Sequence, residues 1–365
     1  MSDLPTSAIR GESTVLVTGA NGYLASHIVD KFLQHGLKVR GTVRDLEKSS
    51  WLVDLLEKRY GSDRFELTLV PDITREGAFE EAVKGRKPTL LCSSLLKMTI
   101  GVSAVVHVAT IMTFDPNPDN VIPGAVAAAI GAMEPAAKEP TVKRFIFTSS
   151  SAAVVSPFAG NDAVLDEHTW NERAVEEAYK PPTNDPYRAW YAYAASKTRA
   201  EQAVWKWCSE NHPSFITNAV LPNGIFGRVL DPVNQGYRSS AHWIPDLFEG
   251  KIEHMRLFPP QWFVDVEDVA LLHVAAAILP HVKNERIFAF AEPFTFNKIL
   301  SVLRKLYPTR SFIDDFSEGE DLTTIKPRAR AQSMLRELGQ AEWTSLERSV
   351  EKNLEVYIPY SEASL

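Results

Sequence analysis

The sequence predicts an α/β protein with a doubly wound parallel sheet and a smaller C-terminal lobe. Short apolar runs of strand length alternate with segments of helical periodicity through residues 1–222. A glycine-containing turn, "TGANG", joins the first apolar run to the first helical segment. After residue 223 the alternation stops, and proline, glycine and aromatic residues become frequent.

The predicted elements of the sheet follow one another in order. The apolar residues 15–17 form the first strand, and Ile28, Val29 and Phe32 mark one face of the first helix, which ends at Gly36. Five more strands are predicted, in "LKVRGTVR", "FELTLVPDI", "SAVVHVAT", "VKRFIFTSSS" and "FITNAVLPN". Helical segments between them, such as "TREGAFEEAVKG" and "ASKTRAEQAVWKWCSEN", indicate parallel strands with right-handed crossovers.

The C-terminal part is predicted to form mainly a substrate-binding lobe. Residues 1–222 are assigned to the sheet domain and residues 223–365 to the lobe, with residues 262–295 returning to the sheet domain through a strand in "ERIFAFAE". Two later helices are predicted in "NKILSVLRKLY" and "ARAQSMLRELG". The lobe is expected over the carboxyl edge of the sheet, where ligands bind in open α/β folds.

Composition excludes several classes of function. The chain of 365 residues carries a net charge of −7, and its scattered basic residues predict neither a nucleic-acid nor an anionic-membrane partner. Its two cysteines, Cys92 and Cys208, are too few for a disulfide framework or a zinc site. The N-terminal residues lack a signal-peptide core and no apolar run is long enough to span a membrane, so the expected location is cytoplasmic.

The glycine turn predicts a dinucleotide site of the Rossmann type. Gly19, Gly22 and Ala25 give the spacing GxxGxxA between a strand and a helix. Glycines there permit a tight turn and let backbone amides approach a pyrophosphate at the helix N-terminus. An ordinary strand-to-helix turn is the alternative, but the position behind the first strand favours the cofactor.

The end of the second strand favours NADP(H) over NAD. NAD-binding sites place an acid there to hold the ribose 2′-hydroxyl. Here Arg44 occupies that place, Lys48 follows one helical turn later, and both suit a 2′-phosphate. A solvated basic residue remains the alternative, and Asp45 weakens the argument. Asp72 is expected at the adenine amino group, and Ala109 and Thr110 beside the ribose and nicotinamide.

The segment "YAASK" holds a tyrosine and a lysine on one helical face. Tyr193 and Lys197 are four residues apart, a spacing that any helix with a tyrosine on it can show. The strand "VKRFIFTSS" places serines at the predicted cofactor edge about forty residues earlier. Together with "VLVTGANGYLASHI", "VRGTVRD", "VVHVAT", "AVLPN" and "FVDVEDVALLH", these motifs resemble an extended short-chain dehydrogenase/reductase of the NAD-dependent epimerase/dehydratase superfamily.

Within that superfamily the chain is most similar to the fungal NADPH-dependent aldehyde and ketone reductases of the aldehyde reductase II type, which are related to dihydroflavonol 4-reductase. The resemblance implies that Tyr193 protonates the alkoxide formed by hydride transfer. It implies that Lys197 lowers the pKa of Tyr193 and holds the nicotinamide ribose. Ser150 is expected to hold the carbonyl oxygen, although Ser149 and Ser151 remain alternatives.

The resemblance completes the predicted site. The expected cofactor-binding residues are Thr18, Gly19, Asn21, Gly22, Tyr23, Leu24, Arg44, Lys48, Asp72, Ile73, Val108, Ala109, Thr110, Tyr193, Lys197 and Pro222. Asn223, Trp243 and Gln261 are expected in the substrate pocket, although packing alone could explain Trp243. No metal is predicted, because His107 and His273 have no metal-ligand spacing.

Two segments depart from the family pattern. Residues 86–101 intervene where relatives run from "EEAVKG" almost directly into "VSAVVHVA", and the segment is interpreted as an insertion, with a translated intron as the hypothesis. Gly131 stands where relatives usually carry asparagine, and Pro135 is expected to kink or shorten its helix.

The predicted function is NADPH-dependent reduction of an aldehyde or ketone, such as an aryl ketone or a β-keto ester. A nucleotide-sugar epimerase or dehydratase is one alternative, and Arg44 argues against it because such enzymes usually retain NAD. A non-catalytic NADP-binding regulator is the other, and the Tyr193–Lys197 pair argues against it. The expected assembly is a monomer or a weak homodimer.

Overall fold

A computed structural model describes residues 7–9, 11, 13–84, 101–181 and 185–363. Its strands are β1 (Thr14–Val17), β2 (Lys38–Val43), β3 (Phe65–Leu69), β4 (Ala104–His107), β5 (Arg144–Thr148), β6 (Val164–Leu165), β7 (Ile216–Pro222), β8 (Gly224–Phe226), β9 (Gln261–Asp265), β10 (Arg286–Ala289), β11 (Glu292–Phe294) and β12 (Thr324–Ile325). Most of them fall within the apolar runs of the sequence.

The helices lie between these strands and after them. They are α1 (Tyr23–Gln34), α2 (Ser50–Tyr60), α3 (Glu80–Lys84), α4 (Pro118–Lys138), α5 (Glu172–Tyr179), α6 (Arg188–Asn211), α7 (Trp243–Phe248), α8 (Val266–Ile278), α9 (Phe296–Leu306), α10 (Arg328–Glu337) and α11 (Leu346–Ala363). Among the described residues, none of the helices combines the length and the apolar character needed to cross a bilayer.

Seven of the described strands form one parallel sheet, in the order β3-β2-β1-β4-β5-β7-β10. The strand order reverses beside β1, where Val15 pairs with Val39 of β2 on one side and with Ala104 of β4 on the other. Such a switch point opens a crevice at the carboxyl edge of the sheet. The predicted α/β fold class, a Rossmann-type doubly wound sheet, is confirmed.

The central strands read as continuous apolar runs because helices cover both faces of the sheet. In β1, Val15 and Val17 join one core with residues of α1 and α8, whereas Leu16 joins a second core on the other face, with residues of α4 and α6. All three side chains are fully buried. The period-2 geometry of a strand thus divides one apolar run between two cores.

The remaining strands form two small sheets. Strands β8, β9 and β11 build a three-stranded sheet, and β6 pairs with β12. Strand β10, within the segment "ERIFAFAE", pairs in parallel with β7 of the main sheet. The two later helices predicted from the sequence correspond to α9 and α10, whereas α11 has no counterpart among the sequence-based predictions.

Residues 86–100 of the predicted insertion lie outside the described residues, and so does Cys92. The chain on either side of the gap is described. The amide of Val102 donates a hydrogen bond of 3.1 Å to the carbonyl of Val83, so the end of α3 meets the residue that leads into β4. The connection from α3 to β4 is therefore closed by residues outside the predicted insertion.

Helix α4 corrects one expectation from the sequence. It runs unbroken from Pro118 to Lys138 and contains both Pro123 and Pro135. Pro135 lies in the last turn of the helix, so its missing amide removes a single hydrogen bond, to the carbonyl of Gly131, and only three helical residues follow it. The expected shortening of the helix at Pro135 is therefore not observed.

Candidate active site

The turn after β1 approaches its neighbours too closely for side chains. Gly19 has a φ of +67°, and a Cβ there would lie 3.2 Å from the Cβ of Ala109. A Cβ on Gly22 would lie 3.1 Å from the carbonyl oxygen of Gly19. Gly22 is the N-cap of α1 and has no side chain to cap the first turn. The free amides of that turn are therefore available to an anion, as a pyrophosphate requires.

Thr18 ties this turn to the end of β4. Its Oγ1 accepts hydrogen bonds from the amides of Val108, at 2.9 Å, and Ala109, at 3.0 Å, and lies 3.2 Å from Nδ1 of His107. Thr18 is fully buried, so its side chain positions the crevice. Val108, Ala109 and Thr110 are half-buried at the same edge.

Three other residues of the predicted cofactor set are engaged in packing or in local hydrogen bonds. Asn21 Nδ2 donates to Ser49 Oγ at 3.0 Å, and the buried Tyr23 hydroxyl donates to the carbonyl of Gly227 at 3.1 Å. Leu24 is half-buried against the core. The side chains at these positions already have protein partners, so a cofactor would contact the backbone of the turn instead.

Two residues that support the turn were missed by the sequence analysis. A Cβ on Gly41 in β2 would lie 2.5 Å from the Cβ of Ala20, so only glycine lets the turn rest on that strand. The buried Gln235 donates from Nε2 to the carbonyls of Asn21, at 3.2 Å, and Gly22, at 3.1 Å. The motif "VRGTVR" contains a signal for Gly41, whereas nothing local marks Gln235.

The basic residues after β2 face solvent. Arg44 is exposed and, in the described part of the chain, has no ion-pair partner. The Lys48 side chain is 84% exposed and lies 3.7 Å from Asp45 Oδ2. An unpaired guanidinium beside the glycine turn fits a 2′-phosphate better than a ribose hydroxyl, because guanidinium binds phosphate oxygens in pairs.

Asp72 lines a cavity of about 260 Å³ at the carboxyl end of β3. Its Oδ1 accepts hydrogen bonds from the hydroxyl of Thr74, at 2.7 Å, and from the amide of Thr74, at 2.9 Å. These bonds, the hydroxyl first, lower the pKa of Asp72. Ile73 is half-buried beside it. A carboxylate held in this way suits an amino donor such as that of adenine.

The fold brings Ser150, Tyr193 and Lys197 to one place. Ser150 follows β5, and the other two lie on one face of α6. Nζ of Lys197 donates to the carbonyl of Thr148 at 3.0 Å and lies 5.4 Å from the centre of the Phe147 ring. Burial lowers the pKa of Lys197 to about 8, and the charge of Glu201 opposes that shift.

The three serines after β5 have different partners. Ser149 is buried and donates to Glu201 Oε2 at 2.6 Å. Ser151 begins a 3₁₀ turn, Ser151–Ala153. Ser150 accepts a hydrogen bond from the amide of Ala152 at 3.1 Å and hydrogen-bonds Tyr193. Of the three, only Ser150 has its hydroxyl engaged with the tyrosine.

The environment of Tyr193 differs from the expectation. Burial raises the pKa of Tyr193, and the hydrogen bond with Ser150 opposes that shift only in part. The predicted net lowering of the Tyr193 pKa is therefore not observed, because desolvation of the phenol by the surrounding residues outweighs the interactions that stabilise the phenolate. Tyr191, two residues earlier, packs with Tyr193 against Ala152 and Ala194 and also against a second cluster that contains Ile122 and Val175.

Two aromatic rings contact Tyr193, and two more extend from them. Its ring centre lies 5.2 Å from that of Phe114 and 5.4 Å from that of Trp190. Trp190 lies 6.0 Å from Phe258, and Phe258 lies 4.7 Å from Trp243. We call Phe114, Trp190, Trp243 and Phe258 the aromatic wall. The sequence analysis identified only Trp243, although Trp190 precedes Tyr193 by one helical turn.

The other predicted pocket residues lie near the wall without joining it. Pro222 is buried at the end of β7, and Oδ1 of the half-buried Asn223 accepts from the amide of Gly224 at 2.8 Å. Gln261 is buried at the start of β9, and its Nε2 donates to the carbonyl of Pro259 at 3.5 Å. Gln261 thus supports the turn that follows Phe258.

The family is shown by comparison with known proteins. The 3-beta hydroxysteroid dehydrogenase/isomerase family matches residues 16–287. The chain belongs to this family. It is 36% identical over 353 residues to aldehyde reductase 2 of Sporidiobolus salmonicolor, covering 96% of this chain and 97% of that protein. It is 39% identical over 345 residues to ketoreductase adrE of Penicillium rubens, covering 93% and 95% of the two chains.

A solved structure shows the same fold. The crystal structure of yeast methylglyoxal/isovaleraldehyde reductase Gre2 complexed with NADPH has a TM-score of 0.74 and 22% identity, covering 96% of this chain and 99% of that chain. The family match and the two relatives above confirm the resemblance to an extended short-chain dehydrogenase/reductase that the sequence motifs indicated.

The structure leaves open space beside Gly131, one of the positions where the sequence departs from the family pattern. A Cβ on Gly131 in α4 would meet only the carbonyl oxygen of Ile73, at 4.0 Å. The glycine is thus not required by close packing. A longer polar side chain there would point toward Ile73, a residue of the predicted cofactor set.

Proposed function

We propose that the protein is an NADPH-dependent carbonyl reductase that converts an aldehyde or ketone to the alcohol. The observation that carries the proposal is the meeting of Ser150, Tyr193 and Lys197 at the crevice beside the glycine turn. The relatives named aldehyde reductase 2 and ketoreductase adrE support the same reaction class.

The cofactor is expected along the carboxyl edge of the sheet. The free backbone amides of the first turn of α1, which begins after Gly22, would hold the pyrophosphate, and Arg44 and Lys48 would hold the 2′-phosphate. Asp72 takes the adenine amino group. When bound, NADPH supplies the hydride that reduces the carbonyl carbon.

The side chains of Ser150, Tyr193 and Lys197 stabilise or neutralise the negative charge that develops on the carbonyl oxygen. Ser150 donates a hydrogen bond to that oxygen, and Tyr193 transfers its proton to it. A phenol with a raised pKa stays protonated at neutral pH, so it is present as a donor before the reaction. The charge of Lys197 stabilises the phenolate that remains after transfer.

The substrate class follows from the aromatic wall. Phe114 and Trp190 border Tyr193 directly, and Phe258 and Trp243 continue the aromatic wall outward from Trp190. Asn223 and Gln261 are the polar residues proposed for the same pocket. Such a surface favours a bulky or aryl carbonyl compound, because flat apolar groups stack on aromatic rings.

Two further expectations remain predictions. One is the division into residues 1–222 and 223–365, with residues 262–295 returning to the first domain. The other is assembly as a monomer or a weak homodimer.

The test is loss of NADPH absorbance with a panel of aryl ketones, β-keto esters and aldehydes. We expect turnover with NADPH and weak turnover with NADH. Tyr193→Phe should abolish turnover, because no group then supplies the proton. Tyr191→Phe is the matched control on the same helix and should retain activity. Tight NADPH binding without turnover on any substrate would contradict the proposal and favour a non-catalytic regulator.

A further inference from the structure

Three potential metal ligands meet outside the catalytic site. His242 ends a 3₁₀ turn, Ser239–His242, Asp246 lies one turn later in α7, and His254 lies in a second 3₁₀ turn, Glu253–Leu257. Nε2 of His242 lies 3.8 Å from Asp246 Oδ2, and Nε2 of His254 lies 3.4 Å from the same oxygen. One ligand atom from each residue lies within 4.8 Å of the others.

These separations approach those of a filled site. Two ligands at about 2.1 Å from a zinc ion in tetrahedral geometry lie about 3.4 Å apart. The two imidazole–carboxylate separations therefore lie within about 0.4 Å of the tetrahedral value, and the two imidazole nitrogens are at most 4.8 Å apart. All three side chains are half-buried or partly exposed, so an ion can enter from solvent.

The hydrogen bonding of His242 prepares it for a cation. Its Nδ1 donates to the carbonyl of Ser239, which leaves the lone pair on Nε2, the atom nearest Asp246. Metal-binding histidines commonly use this backbone contact to fix the tautomer. Within the described residues, no lysine or arginine forms an ion pair with the Asp246 carboxylate.

We propose that His242, Asp246 and His254 form a site for a divalent transition-metal ion. Two imidazoles and one carboxylate suit zinc, with water at the fourth position. The sequence analysis predicted no metal, because the ligands come from two turns and match no familiar spacing. The fold alone brings His254 close to Asp246 of α7 and to His242, which directly precedes that helix.

The bound ion links the two segments that carry half of the aromatic wall. Trp243 follows His242 directly, and Phe258 lies four residues after His254. Their ring centres are 4.7 Å apart. The ion thus fixes the spacing of the turns on either side of this ring pair. Metal binding itself does not depend on the proposed reductase activity.

The test is calorimetric titration of the full-length protein with zinc chloride. The protein is purified without a polyhistidine tag and freed of metal with a chelator. We expect one saturable site, an affinity at least about tenfold weaker in His254→Ala and Asp246→Asn, and a zinc-dependent rise in Tm that both variants lose. Thermal unfolding of the metal-free variants establishes that they are folded.

His281→Ala is the matched control. His281 Nε2 lies 3.4 Å from Glu337 Oε1, the same separation as between His254 and Asp246. Among the described residues, no third potential ligand lies close enough to this pair to complete a metal site. Zinc affinity should not change in this variant. No saturable binding, or binding that survives both His254→Ala and Asp246→Asn, would overturn the proposal.

Discussion

At the scale of single residues, burial shifts the pKa values of two groups of the candidate site in opposite directions. Burial raises the pKa of the phenol of Tyr193 and lowers that of the ammonium of Lys197. Both shifts favour the neutral form, as desolvation requires. Glu201, one helical turn after Lys197, opposes the second shift by stabilising the positive charge.

The pH dependence of turnover should follow Lys197. Its pKa is about 8, so the ammonium loses its proton as the pH rises through that value. We expect kcat/KM for carbonyl reduction to fall by about tenfold per pH unit above this point, because an uncharged lysine no longer stabilises the phenolate. Lys197→Arg should move the alkaline limb to higher pH, since guanidinium stays protonated. The measurement is a pair of pH–rate profiles, and identical alkaline limbs would contradict the assignment.

At the scale of elements, α4 contains two glycines whose surroundings differ. A Cβ on Gly131 would meet only the carbonyl oxygen of Ile73, at 4.0 Å, whereas a Cβ on Gly124 would lie 2.7 Å from Cδ1 of Ile111. Both positions are helical and neither has a positive φ. The same glycine-to-alanine substitution can therefore be compared at an open position, Gly131, and at a crowded one, Gly124.

Gly131→Ala should stabilise the protein by about 0.5–1 kcal/mol, because alanine loses less backbone entropy in a helix than glycine does. Gly124→Ala is the matched comparison and should give a smaller gain or a loss, since Ile111 must move. Urea-induced unfolding measures both. A loss of stability in Gly131→Ala equal to that in Gly124→Ala would show that the space beside Ile73 is not open.

The connection from α3 to β4 should tolerate removal of the predicted insertion. Deleting residues 86–101 leaves Val83, Lys84, Gly85 and Val102 in sequence. The observed hydrogen bond from the Val102 amide to the Val83 carbonyl then spans four residues, as in a β-turn with glycine in its third position. Gly85 also replaces Gly101, where a Cβ would lie 2.5 Å from Glu139.

We therefore expect the deletion variant to fold, with an unfolding free energy within about 1 kcal/mol of the full chain or higher, because a shorter loop closes at lower entropic cost. Thermal unfolding with and without NADPH measures this. An aggregated variant, or one that NADPH no longer stabilises, would show that the segment belongs to the fold. The intron hypothesis remains a prediction, tested by comparing cDNA with genomic sequence.

At the scale of the whole molecule, one buried ion pair joins the site to the edge of the sheet. Glu201 of α6 accepts hydrogen bonds from Arg286 of β10, at 2.7 Å to Nε, and from Ser149 after β5. Arg286 also lies 3.8 Å from the centre of the Trp170 ring. The pair thus connects α6, the serine segment after β5 and the last strand of the sheet, β10.

Glu201→Gln should lower the unfolding free energy by about 3–5 kcal/mol, because it leaves the charge of Arg286 buried without its partner. The side chains of Glu201 and Arg286 are 0% and 6% exposed. Glu172→Gln breaks the exposed pair with Arg199, at 3.1 Å, and should lose less than about 1 kcal/mol. Urea-induced unfolding compares the two variants, and equal small losses would contradict this role for Glu201.

Much of the fold and part of the site followed from the sequence, because their signals are local. Apolar runs predicted the strands of the main sheet, and the glycine spacing predicted the turn after β1. The spacing of four residues placed Tyr193 and Lys197 on one helical face. The periodicity of helices and strands determines which residues share a face, so these features can be predicted without knowledge of the packing.

Only the tertiary structure decided which groups meet across the chain. It separated Ser149, which binds Glu201, from Ser150, which contacts Tyr193. It also placed Phe114 against Tyr193, joined Trp190 to Phe258 and Trp243, and placed His254 beside Asp246. These contacts join segments far apart in sequence. The direction of the Tyr193 pKa shift likewise depends on burial, which the packing of distant elements determines and no local pattern records.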